Sequence, residues 1–128
     1  MIISVGTDLV DVERLEARLR RVPALAPRFL TEEEVAACAG RTESVAARLA
    51  AKEAVLKALG SALASVGETA PRGWSLREVE VRGGRGTAPS LRLSGVAASV
   101  ATLVGARRWH LSLAHDGGVA QAFVVAEG

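Results

Sequence analysis

The sequence predicts an α+β fold in which a largely antiparallel sheet packs on one long central helix. Three observations support this. Residues 45–60 are the strongest helical stretch, built mostly of Ala, Leu, Lys, Arg and Glu. Strand-like alternation of apolar and polar residues stands at both ends of the chain, over 2–10, 109–115 and 119–126. The last two stretches meet around Asp116-Gly117, a tight-turn signal that makes their pairing antiparallel. With 128 residues and no internal repeat, linker or low-complexity tract, the chain reads as one domain over residues 1–128.

The elements follow in order. In the first strand Ile3, Val5 and Leu9 alternate with Ser4, Gly6 and Asp8, which puts Asp8 on the face opposite Ile3 and Val5. Gly6 in mid-strand permits a close backbone approach or a bulge. Asp11 caps a helix running to about Arg21, with Val12, Leu15, Leu19 and Val22 as its apolar stripe. Arg14, Arg18 and Arg21 form a second, basic stripe on it. Residues 23–30, with Pro23 and Pro27, read as irregular. Thr31-Glu32-Glu33-Glu34 is a capping box that opens a short helix to about Cys38, which Gly40 ends.

The central helix is expected to start at a Thr42 or Ser44 cap and to stop at Gly60. Val45, Leu49, Leu56, Leu59 and Leu63 make its buried stripe, and Lys52 lies inside that stripe. Residues 61–73 are the least patterned and read as a loop. Residues 74–81 read as a half-exposed strand, Gly83, Gly84 and Gly86 as a turn, and 90–93 as a return strand. A third helix starts at Ser94 or Gly95 and runs through Val104, closed by Gly105.

Bulk properties narrow the function. The net charge of +2 is too small to argue for nucleic acid, and 3% aromatics leave no stacking platform. The one cysteine, Cys38, forms no internal disulfide and has no metal-ligand spacing around it. Together with the lack of any apolar stretch of spanning length, it fits a reducing cytoplasm. No Walker loop, dinucleotide glycine pattern or nucleophile elbow occurs.

A few residues have chemistry to offer. Asp8 and Glu53, carboxylates on separate elements, are the usual protein share of a magnesium site, whose other positions go to water and phosphate. Equally, Asp8 can cap or turn while Glu53 merely pairs with Lys57 four residues on. Arg48, Lys52 and Lys57 surround Glu53 and suit a polyphosphate, or else are solvated or snorkelling side chains. His115 ends a strand beside the hairpin turn, where a histidine can touch a phosphate, move a proton, or simply face solvent. The Arg14, Arg18 and Arg21 face is either ordinary surface or a docking surface for an acidic protein. His110 has no evident role.

At these residues the chain resembles a known family. Val5-Gly6-Thr7-Asp8-Leu9-Val10-Asp11-Val12-Glu13-Arg14 is similar to the opening motif of bacterial holo-acyl-carrier-protein synthases, the short 4′-phosphopantetheinyl transferases. Ala47-Arg48-Leu49-Ala50-Ala51-Lys52-Glu53-Ala54 with Lys57-Ala58-Leu59-Gly60 resembles their second signature. Trp109-His110-Leu111-Ser112-Leu113-Ala114-His115-Asp116 resembles their closing segment.

The resemblance implies transfer of the phosphopantetheine arm of coenzyme A to a serine of an apo acyl carrier protein, releasing adenosine 3′,5′-bisphosphate. The carriers implied are those of fatty-acid or polyketide synthesis, between which the sequence does not choose. By resemblance Asp8 and Glu53 hold magnesium, and Lys57 neutralises or protonates the leaving phosphate. Arg48, Lys52 and His115 lie near the coenzyme's phosphates, and the Arg14 helix docks the carrier. For the general base the chemistry leaves two candidates, Glu53 first, directly or through a metal-bound water, and His115 second. The family's short members imply a homotrimer with sites at subunit interfaces. A third carboxylate found in longer relatives is here Val10, and Gly86-Thr87-Ala88-Pro89 departs from the family's tighter turn. The competing reading is a non-catalytic module that holds an acidic partner through the arginine helix.

Overall fold

The computed structural model describes residues 1–84 and 86–128 of the chain. Its elements are β1 (Ile2–Asp11), α1 (Val12–Arg21), α2 (Ala26–Phe29), α3 (Glu32–Cys38), α4 (Thr42–Ser65), a 3-10 turn (Leu76–Glu78), β2 (Val79–Gly84), β3 (Thr87–Leu93), α5 (Gly95–Leu103), β4 (Arg108–Asp116) and β5 (Val119–Glu127). The strands form two antiparallel sheets, one ordered β1-β5-β4 and the other the β2-β3 ribbon. The α+β expectation therefore holds, with the antiparallel strands divided between two sheets.

Helix α4 is the hub. Ala50, Ala51, Ala54, Val55, Ala58, Leu59 and Leu63 are buried in one core with Val79, Val81, Ala122, Val124 and α5. A second cluster joins Val45 and Ala46 to Leu15, Phe29, Leu30 and Cys38 of α1, α2 and α3. The helix runs through Gly60 to Ser65, past its expected stop. A helical glycine costs about 1 kcal/mol relative to alanine. Burial of Leu59, Ala62 and Leu63 on both sides of it outweighs that penalty. The start differs too: Arg41 occupies the cap position and no side chain caps the helix.

Small residues let strand and helix come close. A Cβ on Gly6 would collide with the carbonyl oxygen of Ala54, so only glycine lets β1 lie this near α4. Ser4 Oγ donates to the Ala58 carbonyl at 2.8 Å and ties the same two elements. A bulge between Ile2 and Ser4 breaks the alternation. Ile3 consequently packs on the core, whereas Val5 is exposed, contrary to the shared face expected for them.

Other boundaries shift for local reasons. Asp11 caps α1 by accepting the Arg14 amide at 2.8 Å, as expected. The stretch read as irregular contains the single turn α2, with Pro27 in its first turn. Residues 75–78 form a 3-10 turn with a Ser75/Glu78 capping box, so the strand starts only at Val79. The return strand is longer than expected, from Thr87. Glu78 also accepts the Val96 amide at 3.0 Å, a borrowed cap for α5. At the last hairpin Asp116 pairs with Val119, and Gly117 and Gly118 both have positive φ, the type I′ requirement.

Candidate active site

Asp8 is placed by β1 and Glu53 and Lys57 by α4, where a spacing of four puts the last two on one flank of the helix. The close approach at Gly6 brings that flank to the strand. Lys57 Nζ donates to Asp8 Oδ1 at 2.7 Å and to the Thr7 carbonyl at 3.2 Å. The ion pair thus spans two elements, and the alternative of a simple Glu53–Lys57 pair along the helix does not form. Burial pushes the Glu53 carboxyl above its usual range, the nearby Asp8 charge pushes it further, and Lys57 pulls it partly back. Two carboxylates close enough to perturb each other, with one ammonium beside them, make a cluster short of positive charge.

On the other flank of α4 lies an open cavity of about 690 Å³, walled by Ser44, Arg48, Gly83, Pro89, Leu113 and His115, among others. Arg48 is 7% exposed, and its Nη2 donates to the Gly83 carbonyl at 3.2 Å. Its Nε, buried, has no partner among the described residues. Arg48 and Glu53 are five residues apart, about 140° around the helix. Asp8 and His115 stand on the two outer strands of the β1-β5-β4 sheet, with β5 between them. One chain therefore assembles Asp8, Glu53 and Lys57 in one place, and Arg48 and His115 in another.

Lys52 belongs to neither, which corrects the expectation that it contacts phosphate. Its side chain is 0% exposed, and Nζ donates to Glu34 Oε1 at 2.7 Å, the Val79 carbonyl at 2.6 Å and the Leu76 carbonyl at 3.0 Å. Its three donors are used inside the fold. Burial pulls its ammonium below the ordinary range, and Glu34 opposes this. Glu34 is the residue the sequence undervalued. Its capping box was legible, but a partner 18 residues away was not.

Arg14, Arg18 and Arg21 are all exposed on α1, and none of them is paired with a carboxylate among the described residues. Arg18 also borders a groove of about 430 Å³ with Arg28, Leu15, Phe29 and Leu49, whose wall includes Glu53. The arginine face and the carboxylate cluster are thereby continuous. Cys38 is buried, and burial raises its thiol, so it is inert packing. His110 lies against Glu127 at 3.0 Å, away from both features.

The sequence pattern of the 4′-phosphopantetheinyl transferase superfamily matches residues 4–125. The holo-[acyl-carrier-protein] synthase of Frankia casuarinae is 48% identical, covering 98% of each chain. Among solved structures, the holo-[acyl-carrier-protein] synthase of Neisseria meningitidis has a TM-score of 0.82 at 32% identity, covering 100% of both chains. A Chronobacterium ammoniagenes ACPS–CoA complex has the same TM-score and identity, covering 97% of this chain and 96% of that one. The chain belongs to the 4′-phosphopantetheinyl transferase superfamily, with the bacterial holo-acyl-carrier-protein synthases. It is therefore an enzyme of the transferase class, and the reading as a non-catalytic binding module is not favoured.

Proposed function

We propose that this single transferase domain, residues 1–128, moves the 4′-phosphopantetheine group of coenzyme A to a serine of an apo acyl carrier protein, releasing adenosine 3′,5′-bisphosphate. The observation that supports this best is the Asp8–Lys57–Glu53 cluster, built from β1 and α4 at the end of a basic, partly apolar groove. In the reaction the serine oxygen bonds to the phosphorus bearing the pantetheine arm, and the bond from that phosphorus to the bridging pyrophosphate oxygen breaks. The serine proton passes to the Glu53 carboxylate, directly or through a water. Lys57 is placed to neutralise the oxygen that leaves with the nucleotide. His115 is the second candidate for the base.

A magnesium ion fits this donor set. Asp8 and Glu53 offer carboxylate oxygens on neighbouring elements, and among the described residues no group of three or more His, Cys, Asp and Glu is arranged to hold a metal by itself. Two carboxylates with water and phosphate completing the shell are what that ion prefers. When bound it would act as a Lewis acid on phosphate oxygens. Arg48 and His115, in their cavity, are the contacts for the coenzyme's phosphates.

The same reading accounts for the division between the two flanks of α4. The outer face of the three-stranded sheet exposes Val5, Leu9 and Phe123, at 50%, 65% and 45%. A patch of this kind on one regular face favours self-association. In a homotrimer, the carboxylate cluster of one protomer and the Arg48–His115 cavity of the next form one site. Arg14, Arg18 and Arg21 receive the acidic carrier. Among the described residues no helix is long and apolar enough to cross a membrane, in keeping with a cytoplasmic enzyme. The test is direct: incubate the protein with coenzyme A, magnesium and apo carriers from fatty-acid and polyketide synthesis, and weigh the carriers. A mass gain of one phosphopantetheine group is expected, and its absence on every carrier would overturn the assignment.

A further inference from the structure

The two most completely buried charges among the described residues take no part in the chemistry just described. Lys52 of α4 is 0% exposed and Glu34 of α3 is 1% exposed. Lys52 Nζ donates to Glu34 Oε1 and to the Val79 and Leu76 carbonyls. Glu34 Oε1 also accepts the Thr31 amide at 2.9 Å, and its Oε2 accepts the Val81 amide at 2.9 Å. One ion pair therefore joins the first turn of α3, the middle of α4, the 3-10 turn and β2. Buried pairs of this kind are often no more stabilising than apolar residues of the same volume, so stability is a weak reason for its presence. What it does supply is a fixed register between elements.

Of these elements α3, α4 and β2 also wall the cavity of about 690 Å³. Ala37 lies one turn beyond Glu34 on α3, Arg48 one turn before Lys52 on α4, and Gly83 and Gly84 follow Val79 and Val81 on β2. Arg48 itself is tied to β2 through the Gly83 carbonyl. We infer that the Lys52–Glu34 pair is a positioning device for the coenzyme cavity, setting β2 against α4 and so placing Arg48 and the Gly83–Gly84 wall. The inference rests on reading this cavity as the coenzyme site. Asp8 and Lys57 are joined instead across the contact of β1 with α4 at Gly6, while Glu53 shares its groove with Leu76, one of the residues whose carbonyls Lys52 holds. Disturbing the buried pair must then weaken coenzyme binding while sparing the chemical step.

The experiment compares the wild type with Lys52→Met/Glu34→Met, which removes both charges at similar volume, and with Glu34→Gln, which keeps the shape. Coenzyme A affinity is measured by calorimetry, and steady-state transfer is measured against both substrates. The expected result is a rise of roughly tenfold in Kd and KM for coenzyme A, equivalent to about 1.4 kcal/mol of binding free energy. The kcat at saturating coenzyme and the KM for the carrier stay near wild type. If the double variant does not fold, Glu34→Gln alone decides. Folded variants that are less stable but bind coenzyme A as the wild type does would overturn the positioning role and leave the transferase reading standing. A wild type that does not bind coenzyme A at all overturns both.

Discussion

Lys57 places its ammonium 2.7 Å from Asp8 Oδ1, a partner 49 residues away, instead of on Glu53 one turn back along its own helix. The pair bridges β1 and α4 at the point where the chemistry is proposed. Asp8→Ala removes a proposed cation ligand and releases Lys57 together. Transfer should fall by ~100-fold or more, as for the loss of a group acting on developing charge. Far-UV circular dichroism should be unchanged, because the hydrogen bond lost is to the Lys57 ammonium and the backbone pairing of β1 with β5 is untouched. Wild-type activity in this variant would remove Asp8 from the site.

Glu53 links function to pH-dependent stability. Its carboxyl is raised by burial and then by Asp8, so the folded state holds the proton more tightly than the unfolded chain. Protons bound in excess by the folded state mean that stability is greatest below the ordinary carboxylate pKa and falls as pH rises through the folded value. Glu53→Gln removes that loss. The variant should be inactive, more stable than wild type at neutral pH, and level with it at acid pH. Thermal melts across that range check the sign, and full transfer activity with magnesium would exclude Glu53 as base.

Magnesium should raise the melting temperature of the wild type at neutral pH, since an ion that binds only the folded state stabilises it by mass action. The same addition should leave Asp8→Ala unmoved. A matching rise in that variant would place the ion elsewhere.

On α1, charge reversal at Arg14 and Arg18 should raise the KM for the carrier by roughly tenfold and leave that for coenzyme A near wild type, as expected of exposed charges that steer encounter. The wild-type carrier KM should climb with salt, and the variant's should respond less. Equal effects on both substrates would return the stripe to ordinary surface.

Phe123 sits on the outer face of β5, opposite Thr7 of β1 and Ser112 of β4. Phe123→Glu should convert a self-associated protein to monomer, read by light scattering after size exclusion. If the proposed trimer completes the site, transfer should be lost with assembly. A fully active monomer would show that the site is complete within one chain.

Much of this was legible beforehand because local rules dominate locally. The Asp11 cap, the Thr31–Glu34 capping box and the last hairpin each follow from a few adjacent residues, although the turn falls on Gly117-Gly118, one residue later than the Asp116-Gly117 signal put it. Lys52 was legible as a buried lysine but not as a structural one. A lysine stem in an apolar stripe looks the same whether its head emerges at a phosphate or meets Glu34 inside. Gly60 misled because its backbone cost is local, whereas the burial that overrides it comes from the sheet and α5. The apolar alternation of β1 marked a strand without saying which face would be covered. Val5 and Leu9 turned outward because the face of Ser4, Gly6 and Asp8, with no side chain at Gly6, is the one that fits against α4.

The contact at Gly6 has a consequence in the genetic code. Every single-base change that replaces a glycine codon's residue introduces a side chain with a Cβ, and at this position that atom meets the backbone of Ala54. The backbone offers no rotamer by which to yield. Position 6 is therefore one at which mutational drift has no neighbouring step to take. Random mutagenesis followed by selection for transfer should return silent changes there and nothing else.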